Sequence, residues 1–267
     1  MLATMPESHA GDLQVEDHGA VRLIRLARPA AKNALTLDTV DALGAALASA
    51  GATKAVRAVV LSGTPGAFCS GADLRWLTHE LENGTPLGPG LERFQALTLA
   101  VVELGKPVVA AVTGPAVGFG ADLALACDLR VVAESAYLQE KFVAIGLMPD
   151  GGGSYFLTRL LGPGRALELL MLGSRIDAAQ AVSLGLATSM TADIDTERAA
   201  LALATTLSHG PPLALARIKQ AVHGSSTELR AALARERDGQ LALLASHDVK
   251  EGVRAFLERR TPTFRGN

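Results

Sequence analysis

Aromatic residues make up only 4% of the 267-residue chain. That is too few for the stacking surfaces on which single-stranded nucleic acids lie. The formal net charge is -2, so no general field attracts a polyanion, although local basic patches are compatible with it. Only two cysteines are present, Cys69 and Cys127. Two thiols do not make a disulfide framework, and no metal-ligand spacing surrounds them. Both read as small buried hydrophobes in a reducing cytoplasm. No metal, nucleic acid or membrane partner is expected. Long uninterrupted apolar runs are also lacking. Val108 to Cys127 is mostly apolar, but Gly114, Pro115, Gly118, Gly120 and Asp122 break it. It reads as strand, loop and buried helix rather than a membrane span. Met1 to Gly11 carries Glu7, Ser8 and His9 without an apolar core and reads as no signal peptide.

What is abundant is core material. Hydrophobic residues reach 49% and charged residues 19%, a globular composition. Val21 to Leu26, Arg57 to Ser62, Pro107 to Val112 and Leu129 to Ala133 read as strands. Leu37, Val40, Leu43 and Leu47 fall at helical spacing in Thr36 to Ala50. Leu91 to Leu104 and Gly120 to Ala126 are further helices. Gly63 to Leu74 and Asn83 to Gly90 read as loops, and with Trp76 and Leu77 the second is expected to shape a pocket. From Gly152 onward the chain turns mainly helical. Strands alternating with helices, then helices alone, imply an α/β core followed by a helical extension. The expected boundaries are 12–205 for the core and 206–267 for the helical region.

The sharpest local signal is Thr113 to Gly120, a glycine-rich turn between a strand and a helix. The first turn of a helix leaves N–H groups unpaired, and its dipole favours negative charge. Three readings compete. A dinucleotide site lacks its third glycine, because Leu123 stands there, and no Gly-Lys-Ser/Thr follows for a phosphate loop. A purely structural turn is the second. The third is an oxyanion site, which needs another donor. Ala67 to Leu74 offers one, since it follows strand Arg57–Ser62 in the same sense with small residues at its tip. No G-x-S-x-G element supports a serine hydrolase.

Six ordered motifs carry a resemblance. They are Arg28-Pro29-x-x-Lys32-Asn33-Ala34-Leu35; Phe68-x-x-Gly71-Ala72-Asp73-Leu74; Lys106-Pro107-Val108-Val109-Ala110-Ala111-Val112-x-Gly114; Gly118-x-Gly120-x-Asp122-Leu123-Ala124-Leu125-Ala126-Cys127-Asp128; Gly146-Leu147-x-Pro149-x-x-Gly152-Gly153; and Glu251-Gly252-Val253-x-Ala255-Phe256. Together they resemble the enoyl-CoA hydratase/isomerase (crotonase) superfamily from about Val15 to Phe264. The resemblance implies a crotonase-like ββα superhelical core, a helical C-terminal trimerisation region, and a trimer or dimer of trimers. It implies an oxyanion hole from the N–H groups of Ala72 and Phe119. Glycine is usual at the second position, so the Phe119 ring must point away from the thioester. It implies coenzyme A held near Ala34 and along Gly71, Ala72, Asp73 and Leu74, with Arg28, Lys32 and Arg265 as candidate phosphate partners. No separate cofactor is implied, because coenzyme A is part of the acyl-CoA substrate.

An oxyanion hole acidifies the carbon beside a thioester, but a base must still move the proton. Asp122 matches the first catalytic glutamate of the family's hydratases. Asp150 matches the acidic residue of some enoyl-CoA isomerases and of ring-epoxide isomerases. As plain residues, Asp150 has a turn or N-cap residue as its lesser reading, and Asp122, costly inside an apolar helix without a partner, tilts towards function. Phe142 stands where hydratases carry their second glutamate, and a phenyl ring cannot hold water. Glu140 is two residues away and reads as a poor substitute. Shifting a double bond needs no water. The expectation is therefore an isomerase, with a hydratase or a non-catalytic acyl-CoA-binding protein as the alternatives.

Overall fold

The computed structural model describes residues 11–224 and 226–267. Of the N-terminal segment read as no signal peptide, residues 1–10 lie outside the described residues. Four parallel strands form the centre of a six-stranded sheet: β2 (Val21–Leu26), β3 (Ala58–Gly63), β4 (Val108–Val112) and β6 (Leu129–Ala133). Strand β1 (Leu13–His18) closes one edge antiparallel to β2, and β9 (Ser189–Thr191) closes the other in parallel. A smaller sheet holds β5 (Pro115–Val117), β7 (Tyr137–Gln139) and β8 (Arg175–Asp177) in the order β5-β7-β8.

Alternation sorts the strand residues between two cores. Val21, Leu23, Ala58, Val60, Val109, Ala111 and Val131 face helix α8 (Thr196–His209) through Ala200 and Ala204. Ile24, Leu26, Val59, Leu61, Val108, Ala110, Val112 and Val132 face the larger core. There they meet α1 (Leu37–Ala52), α3 (Gly88–Val102) and α4 (Phe119–Ala126). Burial on both faces explains why these strands are almost wholly apolar. Cys69 and Cys127 are free and buried, as expected.

Helices α5 (Gly153–Leu161), α6 (Pro163–Leu172) and α7 (Ala178–Ser183) follow the second sheet's loops. Beyond α8 come α9 (Pro212–His223), α10 (Thr227–Leu244) and α11 (His247–Leu257). The expected boundary between 205 and 206 falls inside α8, whose hydrogen bonds bind both sides of it together. The chain breaks instead at Gly210 and Pro211, where α8 ends and proline can start α9 without an N–H. Moreover α10 packs on α3 and α5, so the helical region is built into the core.

The 63–74 loop holds apart from its ends, with Gly63 in β3. The 83–90 loop is corrected to 84–87. The unread stretch between them, Leu74–Asn83, is a helix, α2. Asp73 caps its start by accepting from Arg75 N, and Gly84, in the left-handed region, ends it. The following helix α3 begins at Gly88, three residues earlier than the leucine pattern implied. Among the described residues no helix is long and apolar enough to cross a membrane.

Candidate active site

Two loops meet beyond the ends of β3 and β4. The first, after β3, runs alongside β5: Phe68 N and Cys69 N reach Pro115 O, and Val117 N donates to Cys69 O at 2.9 Å. Leu35 N donates to Gly71 O at 2.8 Å and Leu35 O accepts from Asp73 N at 2.9 Å. That bridge turns the intervening Ala72 N–H away from Leu35. The second loop leaves β5 through Gly118 at φ +54° and opens α4, so Phe119 N sits in the first turn with no intrahelical acceptor. No other described acceptor takes either N–H. The loops touch: a Cβ on Gly71 would lie 3.4 Å from Phe119 N. Ala72 and Phe119 therefore present two unpaired donors to one cavity, whose volume is about 140 Å³. The Phe119 ring is buried edge-on against Phe94, centroids 4.8 Å apart. It packs beside Gly151 rather than over the donors.

The cavity is apolar on most sides. Trp76 and Leu77 from α2, Leu87 from the 83–90 segment, and Phe94 line it. Phe142 also lines it, its ring tip within 3.6 Å of a Cβ built on Gly118. Among the described residues Asp150 is the one carboxylate in the lining. Its Oδ2 accepts from Gln240 Nε2 at 2.8 Å. Burial raises its pKa to about 7, against the lowering pull of the Gln240 hydrogen bond and with further raising by Glu236. A carboxyl titrating there can both take and return a proton at neutral pH.

Asp122 sits behind this surface. It is fully buried and outside the cavity lining. Its Oδ2 accepts from Gly151 N at 3.1 Å, which ties α4 to the Asp150 turn. Burial first, and Glu140 second, hold its carboxyl well above the usual range. Glu140 corrects an expectation. The two-residue offset from Phe142 was expected to point it elsewhere, but it is buried beside Asp122. Strand β7 stops at Gln139 and a 3-10 turn begins at Phe142, so no single periodicity relates 140 to 142.

The chain's sequence matches the enoyl-CoA hydratase/isomerase profile over residues 16–267. It belongs to that family. A probable enoyl-CoA hydratase of Rhodobacter capsulatus is 40% identical over 95% of this chain and 98% of its own length. The 1,2-epoxyphenylacetyl-CoA isomerase of Escherichia coli is 36% identical over 92% of this chain and 95% of its own. In three dimensions, the crystal structure of an enoyl-CoA hydratase from Mycobacterium avium subsp. paratuberculosis K-10 superposes with a TM-score of 0.86. It is 35% identical and covers 95% of this chain and 98% of that one. The fold is the crotonase fold.

Within this hydratase/isomerase site, the residues expected near coenzyme A divide into two groups. Gly71, Ala72 and Leu74 line the cavity. Arg28 does not present a free guanidinium. It donates to Ala34 O and pairs with Asp73 Oδ2 at 3.1 Å and Asp12 Oδ2 at 3.3 Å. Arg28 thus clamps the Ala34 and Asp73 backbones together, with Asn33 joining the same two loops through Ala67 O. Lys32 is exposed, in the left-handed region at φ +51°. Arg265 is exposed near the chain end, its N–H held by Asp248 Oδ1. Neither Lys32 nor Arg265 makes an ion pair among the described residues.

Three site residues escaped the sequence reading. Gln240 donates to Asp150 and accepts from Met148 N at 3.1 Å. Gln95 donates to Asp150 O at 3.1 Å and to Leu233 O at 2.7 Å. Glu236 accepts from Gly152 N at 2.8 Å and Ser154 N at 3.0 Å, at the N-terminus of α5. Replacing Gln240 by leucine removes the one side chain that stabilises ionised Asp150. The acid limb of the kcat–pH profile is then expected to move above its wild-type midpoint near 7. A limb that stays in place would remove Gln240 from this role.

Proposed function

We propose that this chain shifts a carbon–carbon double bond in an enoyl-CoA thioester, with Asp150 as the base. One observation carries the reading: among the described residues Asp150 is the only carboxylate lining an apolar cavity whose neighbouring wall supplies two unpaired N–H groups. In a 3-enoyl thioester, Asp150 removes a proton from the α-carbon. The electron pair moves through the thioester carbonyl, and the developing oxyanion is held by the Ala72 and Phe119 N–H groups. The same carboxyl then returns the proton to the γ-carbon, two atoms along, as the double bond moves into conjugation. Atoms balance without water.

Support for isomerisation over hydration comes from what the cavity lacks. Hydration needs water placed and deprotonated while a proton reaches the α-carbon. Phe142 occupies the wall beside Gly118, and both Asp122 and Glu140 stand outside the lining. Asp122 acts in this reading as the group that orients the Asp150 turn. The likeness to the Escherichia coli epoxide isomerase adds weight to a ring-containing acyl group, and the Rhodobacter capsulatus relative keeps hydration as the second reading. Assembly as a trimer belongs to the same proposal. It is supported by exposed Leu213, Ile218 and Val222 on α9 and Met171 and Leu172 on α6.

A product screen over 2-enoyl, 3-enoyl and ring-containing CoA esters in deuterated, oxygen-labelled water tests the reaction. The expected result is conversion of a 3-enoyl ester to the 2-enoyl ester with no solvent oxygen in the product, and with deuterium at the γ-carbon only in the fraction of turnovers in which the Asp150 proton exchanges with solvent before its return. Rapid hydration of crotonyl-CoA with 3-enoyl esters untouched would establish the hydratase. Tight binding of acyl-CoA with no α-proton exchange would establish the non-catalytic reading.

A further inference from the structure

Glu140 takes no part in the reaction just described, yet it is 3% exposed and neither of its carboxyl oxygens has a hydrogen-bond donor. Asp122, 0% exposed, has Gly151 N on Oδ2 and nothing on Oδ1. The two unsatisfied carboxyls converge on Gly153. A Cβ built there would lie 2.4 Å from Asp122 Oδ1 and 3.1 Å from Glu140 Oε1. Only a glycine at 153 leaves them room.

Two buried carboxylates in contact repel each other, and each is costly to desolvate. The other charged groups acting on them are also acidic: Glu236 from α10 and Asp150 from the turn. No cation acts on either. Among the described residues no cluster of His, Cys, Asp and Glu is arranged to hold a metal ion. The missing donor is therefore a carboxyl proton. Burial holds both carboxyls above the ordinary range, with the Glu140 charge raising Asp122 and the contact with Asp122 pulling Glu140 down. The geometry favours Glu140 as the carrier, because only Asp122 has a backbone donor, Gly151 N–H, to stabilise its ionised form.

We propose that Glu140 donates a single shared proton to Asp122 Oδ1, and that this bond fixes Asp122 against Gly151 and so positions Asp150. Glu140 is a positioning residue, two links removed from the substrate. The inference rests on Asp150 being the base. Loss of the shared proton leaves two adjacent anions behind the turn, which loosens the Asp122–Gly151 contact. Glutamine at 140 is a fixed mimic of the protonated state: its amide donates to ionised Asp122, and the pair keeps the same total charge.

Infrared spectra of the purified enzyme read the proton directly. At about pH 8, ordinary carboxyls with pKa values near 4 are ionised. Wild type is expected to show a carboxylic-acid C=O band that shifts in deuterated water, and Glu140→Gln to lack it. Kinetics read the positioning. Glu140→Leu should lower kcat by about tenfold, the order expected for one buried unsatisfied group, with KM little changed. Glu140→Gln should restore most of that loss and abolish the alkaline limb of the wild-type kcat–pH profile, leaving the acid limb in place. No band lost between wild type and Glu140→Gln, or an alkaline limb that persists in Glu140→Gln, overturns the proposal. Should Glu140→Leu not fold, the difference spectrum between wild type and Glu140→Gln still decides, because the carboxyls raised by burial at Asp150 and Glu236 are present in both. Full activity in Asp150→Asn would sink the base assignment and leave the infrared result on the pair intact.

Discussion

Asp150→Asn is expected to lower kcat by about a hundred- to ten-thousand-fold, the usual contribution of a positioned general base, while acyl-CoA binding stays near wild type. Asparagine keeps the shape, and its Oδ1 can still accept from Gln240 Nε2. What it loses is proton affinity. The wild-type acid limb should have a midpoint of about 7, because burial holds the Asp150 proton that firmly. Activity rises with pH through that value, since the base works ionised.

Stability should respond in the opposite sense. The folded chain binds the Asp150 proton more tightly than the unfolded chain does, with the pKa raised from 3.8 to about 7. Its favourable contribution is full below the unfolded value and is lost as pH rises through the folded one. Asparagine does not ionise. At about pH 8, Asp150→Asn should therefore melt at the same temperature as wild type or higher. A variant that is inactive and also less stable would point to a structural role for the carboxylate. One that is fully active would end its assignment as the base.

The sheet and most helices were legible in the sequence because burial there follows one periodicity. Leu37, Val40, Leu43 and Leu47 mark α1, and its Thr36 cap stands one residue before the first of them. Strands β5, β7, β8 and β9 were hidden because three residues each are too few to show an alternation, and β1 and α2 were hidden for other reasons. Strand β1 is an edge strand, exposed over most of its length, so no apolar alternation marks it. Helix α2 buries only Leu77, leaving little stripe to detect, although Asp73 and Gly84 signalled its ends.

The two loops that carry Ala72 and Phe119 were legible because glycine at a positive φ and close approach leave a compositional trace. The carboxyls were not sorted so easily. Asp122 and Asp150 were visible as residues, but which of them reaches the cavity depends on the fold around Gly151 to Gly153. Glu140 required the break between β7 and the 3-10 turn. Glu236 and Gln240 did leave a signal. On α10 they share the buried face with Leu229, Leu233 and Leu244, at helical spacing. Polar residues inside an apolar stripe are costly without partners. Here the partners are the N–H groups of Gly152, Ser154 and Met148, and Asp150 itself.

Gly120→Ala should produce the other large loss, by a route that leaves every side chain of the site in place. A Cβ at 120 would lie 2.1 Å from Cys69 O and 2.8 Å from Cys69 C. Those are backbone atoms of the loop that ends in Ala72, so no rotamer can yield. The first turn of α4 and the 67–72 loop must part, and the Ala72 and Phe119 donors part with them. Losing one oxyanion donor costs about a hundred- to a thousand-fold in kcat, so at least about a hundredfold is expected. Forcing a methyl into packed backbone should also cost roughly 1–3 kcal/mol of stability. The control is Gly44→Ala in α1, where a Cβ meets nothing within 4 Å. The same chemical change there should stabilise the helix by about 0.5–1 kcal/mol and leave turnover alone. The donors act most strongly on the transition state, so the loss in Gly120→Ala should fall on kcat rather than KM. Vibrational spectra of a bound thioester then separate the two site variants. The carbonyl stretch stays polarised in Asp150→Asn, where the donors are intact, and relaxes toward its solution frequency in Gly120→Ala. A carbonyl still polarised in a slow Gly120→Ala enzyme would mean that the two N–H groups are not the oxyanion hole.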